Sequence, residues 1–248
     1  MRALLPASAD SADPDVDLHA HYATDWIERG GLRVNFVSSI DGAATTDGRS
    51  RGLQTPGDNR IFAALRDLAD VVLIGAGTAR AENYQARPVA AQRSEVRQRY
   101  NITPDLPIAV ISKSLNLDPT SNLFAPAGPR TIVLTCNAAN PDARSRLDPV
   151  ADVAVCGETE VELANVQHAL RERGRIRVLC EGGPHLFAEL LGGGLVDELC
   201  LSVTPILAGP GATRITAGHV IPEPIDAQLH GLLEEDGALF CRYRIARE

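Results

Sequence analysis

Four short apolar runs, each ending in a turn of glycine or small polar residues, constrain this chain most. They are DVVLI (Asp70 to Ile74) entering Gly75-Ala76-Gly77-Thr78, PIAVI (Pro107 to Ile111) entering Ser112-Lys113-Ser114, TIVL (Thr131 to Leu134) entering Thr135-Cys136, and IRVLC (Ile176 to Cys180) entering Glu181-Gly182-Gly183-Pro184. Continuous apolar runs of this length belong to strands buried on both faces, as in parallel sheets. Helical spacing lies between and around them. Ile61, Phe62, Leu65 and Leu68 mark a helix over Pro56 to Leu68, and Leu163, Val166 and Leu170 mark another over Val161 to Glu172. Shorter helices are expected at Asp142 to Leu147 and Pro184 to Leu191, and further strands at Leu32 to Ile40, Val153 to Cys156 and Val196 to Thr204. The alternation predicts an α/β fold with a mostly parallel central sheet flanked by helices. Ala227 to Leu233 and Ala238 to Ile245 flank Asp236-Gly237, which predicts a C-terminal antiparallel hairpin at the sheet edge. Thr78 to Arg99 is arginine-rich without a clear period, and reads as a long functional loop or a loop with one irregular helix.

Composition bounds the function. A chain of 248 residues with 44% apolar content can bury one large core. No second compositional regime or Pro/Ser-rich linker appears, so residues 26–248 read as a single domain, preceded by a loosely packed N-terminal arm over 1–25. The net charge of −8, with Lys113 the only lysine, argues against a nucleic-acid surface. No apolar run is long enough to span a membrane, and the polar, acidic stretch from Ser8 to Asp17 is no signal core. Five cysteines at irregular spacing, with no CxxC pair and no clustered Cys/His ligands, fit free core thiols in a reducing cytoplasm and no metal site.

In an open α/β sheet ligands bind outside the carboxyl ends of the strands. These four turns fall at such ends. Any one of them does no more than terminate a strand; GAGT is not GxGxxG, and Lys113 has no glycine loop ahead of it as a Walker A lysine would. Taken together in one sheet they favour a nucleotide site. The two glycine turns would cradle its phosphates, and Ser112 and Lys113 would hold a ribose 2′-phosphate, favouring NADPH over NADH.

Three segments then carry a resemblance: NFVSSIDGAATTDGRS, DVVLIGAGTARAENYQAR and VLCEGGPHLFAELLGGGLVDELCLSVTPILAGPG. In this order they resemble the reductase domain of the bacterial bifunctional riboflavin-biosynthesis deaminase–reductase, and more closely the stand-alone actinobacterial pyrimidine reductases of that family. The resemblance covers Leu32 to the C-terminus and implies a dihydrofolate reductase-like fold. It implies NADPH-dependent reduction of 5-amino-6-(5-phosphoribosylamino)uracil, with hydride delivered to ribose C1′ of the opened Schiff base, in a cytoplasmic homodimer. Asp41, Glu82 and Glu181 would serve the chemistry. Ser39, Gly42, Gly75, Gly77, Thr78, Ser112, Lys113, Gly182, Gly183, Pro184, His185 and Leu186 would contact the cofactor. Ser50, Arg66 and Arg87, with Glu181, would hold the phosphorylated pyrimidine. The apolar Val196 to Thr204 strand with its hairpin could form a sheet-edge interface.

Plainer roles stay open. Arg66 could pair with Asp70 at i+4, Asp41-Gly42 could be only a turn, Glu82 could be a solvated acid, and His185 is structural rather than catalytic. Glu181, after a buried strand, needs partners. The chain departs from the family at Asn35, where lysine is usual, and at Ala63, where histidine is common. HxE and PCxxC are absent, which excludes zinc-dependent deamination. The alternatives are a dihydrofolate or pterin-like reductase on the same scaffold, and a non-catalytic NADPH-binding paralogue.

Overall fold

The computed structural model describes residues 1–5 and 16–246. In chain order its elements are β1 (Arg2–Leu5), α1 (Leu18–Ala23), α2 (Trp26–Arg29), β2 (Gly31–Ser39), α3 (Pro56–Asp67), β3 (Val71–Gly75), α4 (Ala76–Ala81), α5 (Ala91–Arg99) and β4 (Ile108–Ile111). They continue with β5 (Thr131–Thr135), α6 (Pro141–Leu147), β6 (Ala151–Val155), α7 (Leu163–Glu172), β7 (Arg177–Cys180), α8 (Pro184–Gly192), β8 (Glu198–Thr204), β9 (Ala227–Glu235) and β10 (Ala238–Ile245). The chain forms two compact units, one from Met1–Leu65 with Pro184–Glu248 and one from Arg66–Gly183.

The Arg66–Gly183 unit holds the four diagnostic runs. Its strands lie in the order β7-β3-β4-β5-β6 and are parallel throughout. Val71, Val72, Leu73 and Ile74 are at most 1% exposed, as strands covered on both faces require. Parallel pairing brings every strand's carboxyl end to one edge, so the turns after β3, β4, β5 and β7 share that edge. The arginine-rich stretch contains two helices, α4 and α5, rather than a loop with one. Arg97 of α5 is buried, and its guanidinium donates to the carbonyls of Ala69 (2.8 Å), Thr103 (2.7 Å) and Asp105 (2.8 Å). This arginine ties the turn after α3 to the segment that precedes β4.

The other unit has the strand order β1-β9-β10-β8-β2, with only β8 and β2 parallel. The hairpin turn forms where expected: Asp236 (φ 52°) and Gly237 (φ 79°) both take the left-handed conformation of a tight hairpin. Two expectations are corrected here. β8 lies between β10 and β2, so the Val196 to Thr204 run is interior to its sheet and not an edge. The described part of the N-terminal arm is packed, not loose: β1 pairs with β9, and Tyr22 is 1% exposed.

A buried ion triad holds that segment. Arg33 Nε lies 2.6 Å and Arg242 Nη2 2.9 Å from the Glu198 carboxylate. Arg33 also donates to the Tyr22 carbonyl and lies 4.1 Å from the Trp26 ring centroid, while Arg242 donates to the carbonyls of His21 and Thr24. Burial opposes the charge on Glu198, but the two arginines outweigh it and hold its carboxyl down at about 2. Among the described residues no helix is long and apolar enough to cross a membrane, and all five cysteines are unpaired and buried.

Candidate functional site

Within the Arg66–Gly183 unit a cleft of about 570 Å³ opens beside the ends of β3 and β4, lined by Ala76, Gly77, residues 111–114 and residues 138–140. It brings Gly77, Ser112 and Lys113 together, as the strand-end argument expects. Ala138, Ala139 and Asn140 are the lining that sequence reasoning missed. Their signal is Asn140-Pro141, a helix start in which the Asn140 side chain accepts from the amides of Asp142 (2.8 Å) and Ala143 (3.2 Å).

The glycines divide by cause. Gly182 has φ 86° and its carbonyl accepts from Gly75 N–H at 3.0 Å, so the turns after β7 and β3 are joined directly. The Gly182–Gly183 peptide is cis. A Cβ on Gly183 would lie 2.6 Å from Thr78 Oγ1, so a larger residue there requires the Thr78 side chain to move. Gly75 and Gly77 differ: neither has a positive φ, and a Cβ on either would meet nothing within 4 Å.

Ser112 is buried and its Oγ accepts from Leu115 N–H at 3.0 Å, which turns the chain after β4. Lys113 is exposed and forms an ion pair with Glu160.

At the end of β7, Glu181 is bound by two side chains. Arg66 Nε and Nη2 donate to Oε1 and Oε2, both at 2.7 Å, and the Tyr84 hydroxyl donates to Oε2 at 2.6 Å. The Arg66 guanidinium also lies 5.7 Å from the Tyr84 ring centroid. Burial opposes the charge on Arg66, but Glu181 outweighs it and raises the arginine's pKa. Burial first, then Glu181, raises the Tyr84 phenol, which stays protonated at neutral pH. One expectation changes: Arg66 pairs with Glu181 and not with Asp70, which Arg177 holds at 2.8 Å. The Glu181 side chain is 2% exposed and that of Arg66 26%. Tyr84 itself was not anticipated; its signal is that it is the only aromatic residue between Phe62 and Tyr100.

Two further expected residues of this unit are Glu82 and Arg87. Glu82 is the half-buried C-cap of α4. Arg87 is exposed and donates to Gln85 Oε1 at 2.7 Å.

The remaining expected residues belong to the other unit. Ser39, at the end of β2, is buried; its hydroxyl donates to Asp41 and accepts from Ala43 N–H at 2.9 Å. Asp41 accepts further from the amides of Ala208 (3.1 Å) and Gly209 (2.8 Å), and these bonds, Ser39 foremost, hold its carboxyl down at about 2. It is an ionised loop anchor, with no proton to donate at neutral pH. Gly42 takes φ 88° in the same turn. Ser50 begins a short 3-10 turn, Ser50–Leu53. Asn35 faces Cys200 across the β2–β8 pair, and Ala63 lies on α3. Pro184 begins α8 and His185 is exposed beside Gly218, where a Cβ would strike the imidazole. Leu186 is buried at 7% exposure, so its side chain serves the core.

Comparison with known proteins places this geometry. The family model of the RibD C-terminal domain matches residues 31–233. The 2,5-diamino-6-ribosylamino-4(3H)-pyrimidinone 5′-phosphate reductase of Archaeoglobus fulgidus is 30% identical over 177 residues, covering 71% of this chain and 80% of that protein. The reductase of the same name from Methanothermobacter thermautotrophicus is 27% identical over 195 residues, covering 78% of this chain and 87% of that protein. Among solved structures, a pyrimidine reductase-like protein from Corynebacterium diphtheriae superposes with a TM-score of 0.80 at 28% identity, covering 90% of this chain and 95% of that one. The chain belongs to the RibD C-terminal domain family.

Proposed function

We propose that this chain is a pyrimidine reductase of riboflavin biosynthesis that uses NADPH to reduce a ribosylamino-pyrimidine 5′-phosphate. One observation carries the cofactor: Gly75 and Gly77 are glycines that neither backbone conformation nor packing asks for, since a Cβ on either would meet nothing within 4 Å. A ligand whose phosphates approach the backbone closely does ask for them. The names of the Archaeoglobus and Methanothermobacter relatives support the substrate class.

The residues fit NADPH. Gly75 and Gly77 would admit its phosphates, and the Ser112 hydroxyl and Lys113 ammonium would take the 2′-phosphate. Glu160 is the present partner of that ammonium, and both side chains are exposed, 53% for Lys113 and 68% for Glu160. Exchanging one solvated anion for another therefore costs little. When bound, NADPH supplies hydride to ribose C1′ of the ring-opened substrate. Arg66 offers its partly exposed guanidinium to the substrate phosphate, with Arg87 as the second cation. Glu82, half-buried at the C-cap of α4, would handle the proton.

The reading over dihydrofolate rests on the names of the Archaeoglobus and Methanothermobacter relatives. The test follows nicotinamide absorbance with NADPH and either the ribosylamino-pyrimidine 5′-phosphate or dihydrofolate. Consumption with the former is expected. Consumption with dihydrofolate alone reassigns the substrate, and saturable NADPH binding without any consumption overturns the enzyme. Lys113→Ala is expected to weaken NADPH at least tenfold more than NADH; equal weakening removes the 2′-phosphate role.

A further inference from the structure

We propose that Tyr84 is a positioning residue: together with Glu181 it fixes the Arg66 guanidinium, and Arg66 offers the exposed charge of this triad to the substrate. The inference deepens the reductase reading and rests on it. Arginine is a long side chain with much rotamer freedom to lose. Here a two-point fork to Glu181, at 2.7 Å on each oxygen, fixes the guanidinium plane. Glu181 is in turn fixed by the Tyr84 hydroxyl at 2.6 Å, and the Tyr84 ring flanks the guanidinium at 5.7 Å. The exposures set the order of action: 2% for the Glu181 side chain against 26% for Arg66. The carboxylate is turned inward onto its two partners, and the cation is the group a solute can reach. A cation of fixed plane suits an oxyanion, and the substrate class supplies a phosphate.

Phenylalanine at position 84 keeps the ring and removes only the hydroxyl. Steady-state kinetics with NADPH and the ribosylamino-pyrimidine 5′-phosphate, together with calorimetry using ribose 5-phosphate, separate the two levels of the claim. Tyr84→Phe is expected to raise the substrate KM and the ribose 5-phosphate Kd about tenfold, with kcat within about twofold and the NADPH Kd unchanged. Glu181→Gln is expected to do at least as much. On the Glu181→Gln background Tyr84→Phe is expected to add less than it does alone, because the two residues hold one guanidinium. Additive losses, or a fall in kcat at constant KM, overturn the positioning role. Wild-type turnover with a Tyr84→Phe variant indistinguishable from it overturns the triad and leaves the reductase standing. Tyr84-dependent binding of ribose 5-phosphate without wild-type turnover supports the triad and overturns the reductase. Absence of both overturns the two together.

Discussion

Each unit buries one glutamate against arginine, and the two do opposite work. In the Met1–Leu65 and Pro184–Glu248 unit, Glu198 is 0% exposed and its partners Arg33 and Arg242 are 1% and 2% exposed. That cluster is closed, and its spare donors bind the carbonyls of Tyr22, His21 and Thr24. It fastens the N-terminal helices to β2 and β10. In the Arg66–Gly183 unit, Glu181 is nearly as buried at 2%, but Arg66 is 26% exposed. A buried carboxylate is therefore no signal of function by itself. Whether its cation reaches solvent separates a lock from a candidate binding group.

Glu198→Gln should break this comparison most strongly. It leaves two sealed guanidinium groups without a counter-charge, and urea denaturation should show about 3–5 kcal/mol of lost stability. Glu181→Gln should lose only about 1–2 kcal/mol, because Arg66 can turn toward water. Equal losses would mean that exposure does not distinguish the two clusters. Acid should sharpen the contrast next. Burial, then the Arg242 charge, pushes His21 down to about 4 from 6.5. Between those values the unfolded chain binds the proton and the folded one does not, so stability rises with pH there. This contribution is constant above pH 6.5 and falls by up to about 2–3 kcal/mol as pH drops toward 4. His21→Asn should flatten that part of the profile in a pH series of denaturation curves. The smallest effect belongs to the cleft. Gly77→Ala should stabilise the fold by about 0.5–1 kcal/mol, since α4 gains a better helix former. It should also weaken NADPH at least tenfold by fluorescence titration. Unchanged NADPH affinity would dissociate the cleft from the cofactor.

Much of this molecule is legible along the chain. The runs at β3, β4, β5 and β7 read as strands because burial on both faces leaves no alternation. Asp236-Gly237 reads as a hairpin turn because few residue pairs accept two positive φ angles. Ser112 and Lys113 were found from their place after a strand, and the structure puts them in one cleft with Gly77. Charge in a sequence reads as exposure, so the arginine-rich stretch looked like a loop; Arg97 is instead 0% exposed and spends its donors on backbone carbonyls. The spacing of Arg66 and Asp70 suits a helical pair, but α3 ends at Asp67 and Asp70 turns to Arg177.

The sequence by itself determined the strands β3, β4, β5 and β7 with their parallel pairing, the C-terminal hairpin and the family, because each depends on periodicity, turn chemistry or contiguous motif. Only the tertiary structure decided the partners of the buried charges. Arg66 and Glu181 are 115 residues apart, and no local pattern links them. Ion pairing depends on which strand ends the fold brings side by side, and on how much water it leaves there.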